Sequence, residues 1–154
     1  MADADEPLAA LEYEMMLLSR HSLMARQHRK GQVLERSAYV LLSRLELESP
    51  MSLKELAEAL RLDISTVNRQ VRSMITQDLV EGVIDPDGGA ARKFVATAHG
   101  LKQLRVDRAM STDGLGQVVE GWGPSDTETL IRLLRRFNRS VERLEDNEWP
   151  RPED

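Results

Sequence analysis

Apolar residues recur every three or four positions in six separate stretches of this chain, and between the fourth and fifth stretches that period breaks. Leu8, Leu11, Met15, Leu18 and Ala25 form one stripe, which predicts a first helix from about Pro7 to Arg29. Leu17 and Met24 widen the stripe, so this helix should touch two bodies. "KGQ" at 30–32 ends it. A second helix buries Leu34, Ala38, Leu41, Leu42 and Leu45 and stops at "ESP", where Pro50 restricts the residue before it. Ser52 followed three residues later by Glu55 is a capping box ahead of a third helix, with Leu53, Leu56, Ala57 and Leu60 inward. "RLD" makes a short turn. Asp63 is placed to cap a fourth helix with inner residues Ile64, Val67, Val71, Met74 and Ile75.

From Leu79 onward "LVEGVI" and "KFVAT" read as two short strands joined by the turn-forming "DPDGG". A tight helix pair followed by a strand pair is a winged helix-turn-helix. "AHG" opens a long fifth helix with Leu101, Leu104, Leu115, Val118 or Val119, and Trp122 near coiled-coil spacing, weakened at Gly114 and Gly116. After "GPSDTE", where Ser125 and Glu128 have capping-box spacing, a last helix carries Leu130, Leu134, Phe137, Val141 and Leu144. Their steps of four and three residues are those of a helix–helix seam. The predicted fold is mainly α with a small β-hairpin wing. Residues 33–98 form a winged helix-turn-helix domain. Residues 1–32 and 99–146 form a discontinuous helical dimerisation region, with Leu8 and Leu11 beside the last-helix seam, and 147–154 a flexible polar tail.

Charge changes this picture. The chain of 154 residues carries −5, which argues against a nucleic-acid partner until its distribution is seen. Residues 1–19 hold five acids and no base, and residues 142–154 six acids and two bases, so the stretch 20–141 carries +4. The chain contains no cysteine, which excludes disulfides and thiolate metal sites. No apolar run approaches the roughly 18 residues of a membrane span, and the acidic start lacks the order of a signal peptide, so a cytoplasmic location is expected. His21 and His28 share a side of the first helix without a third ligand, and no metal or cofactor is expected. There is no cysteine nucleophile, phosphate-cradling glycine loop or zinc-protease spacing, so an enzyme is not expected.

The fourth helix is where charge and pattern meet. With Val67, Val71 and Met74 inward, Ser65, Thr66, Asn68, Arg69, Arg72 and Ser73 lie outward or on the flanks. Short hydroxyl side chains near a helix start reach phosphates, Asn pairs with adenine, and Arg pairs with guanine. No carboxylate stands between Ile64 and Gln77 to repel a phosphate.

The order of parts, and above all "LAEALRLDISTVNRQVRSM" followed by a wing and "TAHG", resembles the MarR family of bacterial transcription regulators over roughly Leu8 to Leu144. Leu56, Ala57, Leu60, Ser65, Thr66, Val67, Arg69, Val71 and Met74 carry the most specific part. The resemblance implies a homodimer whose first and last helices interlock. It also implies double-stranded DNA as partner, repression at an inverted-repeat operator, and release by a small-molecule effector. Where the family's wing commonly carries arginine at its tip, this chain has Gly88, Gly89 and Ala90; Arg92 and Lys93 follow near the second strand and are the candidate wing contacts. The resemblance places an effector pocket between the dimer helices and the winged domain, near Met16, Leu17, His21, Met24, Tyr39 and Trp122. The poor wing and acidic balance leave a second reading, a winged-helix module that binds another protein without specific DNA binding.

Overall fold

The computed structural model describes residues 2–21 and 33–152. Its elements in chain order are α1 (Ala2–Arg20), α2 (Arg36–Leu47), β1 (Met51–Ser52), α3 (Leu53–Leu60), α4 (Ile64–Thr76), β2 (Val80–Val83), β3 (Lys93–Ala96), α5 (Ala98–Val118) and α6 (Pro124–Glu145). The helix α1 begins upstream of the expected Pro7. The expected continuation to Arg29, with Met24, Ala25 and His28, lies outside the described residues.

The core is built where the periodic stripes converge. Leu41, Leu42 and Leu45 of α2, Leu56 of α3, Val67, Val71 and Met74 of α4, and Leu104 of α5 are at most 2% exposed. Phe94 and Val80 from the sheet close it. The wing is a three-stranded antiparallel sheet of order β1-β3-β2. The strand β1 is only two residues long, Met51 pairing with Phe94 and Ser52 with Lys93. Its existence depends on β3, far along the chain, and so leaves no local pattern.

Caps explain most of the boundaries. Ser52 Oγ accepts from the Glu55 N–H and the Ser52 N–H donates to Glu55 Oε2, the expected capping box. These hydrogen bonds also hold the Glu55 carboxyl below its ordinary pKa, the Ser52 backbone contributing most. Thr97 caps α5 by accepting from the Gly100 N–H, and its hydroxyl donates to the Asp78 carbonyl. A Cβ on Gly100 would stand 2.2 Å from the Leu79 carbonyl oxygen, so "TAHG" is a helix start that only glycine lets seat against the strand entry.

Several expectations are corrected. Asp63 occupies the N-cap position of α4, but its side chain makes no capping bond. Ile64 and Ile75 are exposed, at 53% and 38%, because α3 and the sheet cover only the Val67–Val71–Met74 face. Gly123 is the N-cap of α6 and Pro124 its first residue, so Ser125 sits inside the helix and no capping box forms with Glu128. Gly114 and Gly116 lie within an unbroken α5, and Trp122 lies in the turn after it.

The end of the chain is not a loose tail in its described part. Asn147 donates to the Ala59 carbonyl, Arg151 makes two hydrogen bonds to Glu142, and the Arg44 guanidinium lies 5.0 Å from the Trp149 ring centre. Arg61 pairs with Glu145 at 3.1 Å. These contacts pin the end of α6 to α2 and α3.

The junction of α5 with the winged domain rests on Asp107, whose side chain is wholly buried. Its two carboxylate oxygens accept the N–H groups of Val33 and Leu34 at 3.3 and 3.0 Å. Removing it would leave a buried donor unpaired. Asp107→Ala is expected to lower stability by about 1–3 kcal/mol, read as a fall in the urea midpoint with unchanged slope. An unchanged midpoint would mean that the carboxylate has no structural role.

Candidate nucleic-acid interface

The helix α4 is held by one face. Val67, Val71 and Met74 are buried against Leu56, which turns Ser65, Arg69, Arg72 and Ser73 to solvent and leaves Thr66 and Asn68 half-buried. The entry to this helix is set by Arg61, which takes the left-handed conformation with φ 53°, and by the Leu62 N–H donating to the Ala57 carbonyl. Within α4 the first backbone bond from its N-cap runs from the Val67 N–H to the Asp63 carbonyl. The preceding N–H groups at the helix start have no acceptor within the helix, and Asp63 does not cap them. An uncapped helix start beside Ser65 and Thr66 suits an anion. Among the described residues no carboxylate forms an ion pair with Arg69 or Arg72, so both cations face outward without a protein counter-charge.

The wing differs from this face. Its loop turns at Asp85–Gly88, where the Gly88 N–H donates to the Asp85 carbonyl, Asp85 Oδ1 accepts the Asp87 N–H, and Gly88 has φ 78°. Lys93 is drawn inward: its ammonium lies 3.7 Å from Glu55 and 3.8 Å from Asp85, with 15% of its side chain exposed. It neutralises two local acids rather than facing outward with Arg92. Arg92 is exposed but folded back, its guanidinium 5.7 Å from the Phe94 ring centre and against Gly82, where a Cβ would come within 2.3 Å of Nε. Reaching outward requires Arg92 to leave that seat.

The described residues expected near an effector lie on or just after α1, on α2 and after α5. Met16 and His21 on or just after α1 and Trp122 after α5 are exposed, Leu17 is half-buried, Tyr39 packs against the core, and Met24 lies outside the described residues. Sequence reasoning missed Asp107, Arg44 and Trp149. Asp107 could have been found, because Leu104 and Asp107 follow the buried stripe of α5 at a three-residue step. Arg108 next to it pairs with Glu46 of α2 at 2.8 Å, and that hydrogen bond raises the Arg108 pKa.

On the seam, Leu8 and Leu11 of α1 and Leu130, Leu134, Phe137 and Leu144 of α6 are all exposed, between 39% and 88%, with Val141 half-buried. No residue of α6 is buried within the single chain. That is a long apolar face without a cover.

A two-faced helix after a tight turn, a small antiparallel wing and a long helix leaving the wing define a winged helix-turn-helix DNA-binding regulator. Residues 34–87 match the family model described as MarR family. The chain is 33% identical over 135 residues to the HTH-type transcriptional regulator YxaD of Bacillus subtilis, covering 87% of this chain and 94% of that one. It belongs to the MarR family of transcription regulators. Its fold is similar to that of RV1404 from Mycobacterium tuberculosis, with TM-score 0.71, 20% identity and coverage of 97% and 98% of the two chains. It is also similar to BpsR of Bordetella bronchiseptica, with TM-score 0.61, 18% identity and coverage of 84% and 98%, a structure described as a mechanism for regulation of DNA binding by 6-hydroxynicotinic acid. Among the described residues no helix is long and apolar enough to cross a membrane.

The pinned end of α6 has a pH signature. Arg151, hydrogen-bonded to Glu142, holds that carboxyl below its ordinary value of 4.5. A depressed carboxylate contributes stability that is present above the unfolded value and is lost as pH falls through the folded one. The stability difference between wild type and Glu142→Gln, read from thermal melts, is therefore expected to be constant from pH 7 to about 5 and to shrink toward zero below about 4. A difference independent of pH would show that the pair contributes nothing.

Proposed function

We propose that this protein is a cytoplasmic homodimeric repressor that reads an inverted-repeat operator through α4. The observation that carries this reading is the outward face of α4. Ser65, Arg69 and Arg72 are presented to solvent, Thr66 and Asn68 lie on the flank, and no carboxylate interrupts the helix. Arg69 and Asn68 are the base readers, matched to guanine and adenine. Ser65, Thr66 and the free N–H groups of the helix start take a phosphate, and Arg72 takes another. Arg92 supplies a wing contact only by leaving the Phe94 ring. Lys93 serves the fold. By likeness to BpsR, whose printed description ties its DNA binding to 6-hydroxynicotinic acid, release by a small organic acid fits this chain.

Dimerisation supports the reading. Two-fold symmetry places two reading helices one DNA turn apart, about 34 Å, so a dimer gains from both half-sites. The uncovered stripes of α1 and α6 are the surfaces that would close it, because apolar surface left in water forgoes about 25 cal/mol per Å². Light scattering at low micromolar concentration is expected to give twice the chain mass. A monomer there would remove the paired-groove arrangement.

The experiment that tests the reading is a titration against an operator selected from random DNA, with random DNA as competitor. Arg69→Ala and Asn68→Ala are each expected to lose about 1–3 kcal/mol of discrimination, whereas Arg72→Ala should weaken both DNAs alike. If all three variants keep wild-type affinity and discrimination, α4 is not the reader. The surface would then fit a protein partner instead.

A further inference from the structure

Gly82 stands inside the edge strand β2, opposite Phe94 of β3. A glycine in a strand interior weakens the strand and offers no side chain to pack. The backbone does not require it here. Among the described residues the glycines with positive φ are Gly88 and Gly121, so Gly82 has a conformation that alanine also adopts. Packing supplies the reason. The three atoms nearest to a Cβ on Gly82 are Nε, Nη2 and Cζ of Arg92, and all three would overlap it. The strand thus leaves a slot one methyl group deep, and the Arg92 guanidinium lies in it, 5.7 Å from the Phe94 ring centre. Among the described residues no carboxylate pairs with Arg92, whereas Lys93 beside it has both Glu55 and Asp85. Ring and slot are what hold Arg92.

We propose that Gly82 is a positioning residue that withholds the wing cation from DNA. It provides the slot in which Arg92 is stored, and a duplex gains the wing contact only by emptying that slot. This rests on the DNA reading above and goes beyond it, to a residue that itself touches no DNA. The direction of the exchange follows from the strengths involved. A guanidinium–phosphate hydrogen bond is charge-assisted and outweighs an exposed cation–π contact, so Arg92 moves when a phosphate arrives. The storage contact is then lost in every complex. A phosphate contact carries no sequence information, so storage lowers the affinity for random and operator DNA alike. With Lys93 tied to two acids, Arg92 is the wing cation left to be stored or released. Gly82 therefore restrains non-specific binding without altering the base-reading face of α4.

The test is Gly82→Ala in the full-length protein, which fills the slot and changes no charge. Two measurements are made. Without DNA, the Arg92 Nε–H proton, assigned by its loss in Arg92→Ala, is expected upfield in the wild type, where the Phe94 ring shields it. It should return to the ordinary arginine position in Gly82→Ala. With a duplex of random sequence at one fixed salt concentration, Gly82→Ala should bind more tightly. The gain is about two- to fivefold per wing, or about five- to thirtyfold for two wings, the worth of an exposed cation–π contact. The double variant Gly82→Ala with Arg92→Ala should bind no better than Arg92→Ala alone, which ties the gain to the released arginine. Should Gly82→Ala fail to fold, Phe94→Leu, which keeps an apolar residue at that buried position, decides by the same gain.

An Arg92 proton that is unshifted in the wild type, or that stays put in Gly82→Ala, would overturn the proposal. So would unchanged affinity in a variant that has lost the shift, or a gain that persists without Arg92. A wild type that binds no duplex would instead overturn the DNA reading, and this role of Gly82 with it.

Discussion

A single buried carboxylate fixes how the long helix meets the winged domain. A charge in the interior is tolerated only when its lone pairs are satisfied, and Asp107 meets that condition with the N–H groups of Val33 and Leu34. The same helix is fixed at two earlier points. Thr97 and Gly100 seat its start on Asp78 and Leu79, and Leu104 fills the centre of the core. Three anchors within the first three turns leave α5 no freedom to pivot relative to α2. Beyond Asp107, Ser111 is half-buried and Gly114 still buried, whereas Leu115 and Val118 are exposed. The direction in which α5 projects is thus set by a small group of residues that also holds the entrance to α2 and the exit of the wing.

The reading helix obeys the complementary constraint. Its buried face is narrow, three residues wide, and that narrowness is what exposes Arg69, Arg72 and Ser65 together. The wing has the opposite balance. Glu55 and Asp85 both face Lys93, and one cation between two acids leaves little positive field at the hairpin. Arg92 rests on Phe94, so its reach outward costs a cation–π contact of about 0.5–1 kcal/mol at an exposed site. Under the proposed DNA reading, phosphate attraction must then come mainly from α4 and its uncapped start.

Where the decisive signal was local, the sequence could be read. The capping box at Ser52, the inner face Val67–Val71–Met74 and the turn before α4 all follow from residues within a few positions of each other. Ser125 and Glu128 had the same spacing as Ser52 and Glu55, yet Pro124 takes the first helical position and moves the cap to Gly123. Ile64 and Ile75 obey helical periodicity, but periodicity does not say how wide the covering surface is. The strand β1, the fate of Lys93 and the seat of Trp149 each need a partner distant in sequence, and no window of the chain carries that information. Asp63 marks the α4 boundary by position alone, since no capping bond accompanies it.

The chain leaves the winged domain through α5 and returns to it through the end of α6. The departure is fixed at Thr97, Leu104 and Asp107. The return is fixed by Arg61 on Glu145, Asn147 on the Ala59 carbonyl and Trp149 on Arg44. Between these points no residue of α6 is fully buried within its own chain. In the proposed dimer, α6 would therefore be held by the partner along its length and by its own winged domain at its end. A helix restrained at both places couples the two: a shift of the α6 end relative to α2 changes the angle between the dimer seam and α4. Of the contacts at that end, the Arg61–Glu145 pair is about half exposed and worth little alone, so that part of the restraint is one that modest binding energy can reverse. The wholly buried anchors of α5, Leu104 and Asp107, are not of that kind. Among the described residues the departure thus has the more deeply buried hold and the return the more exposed one.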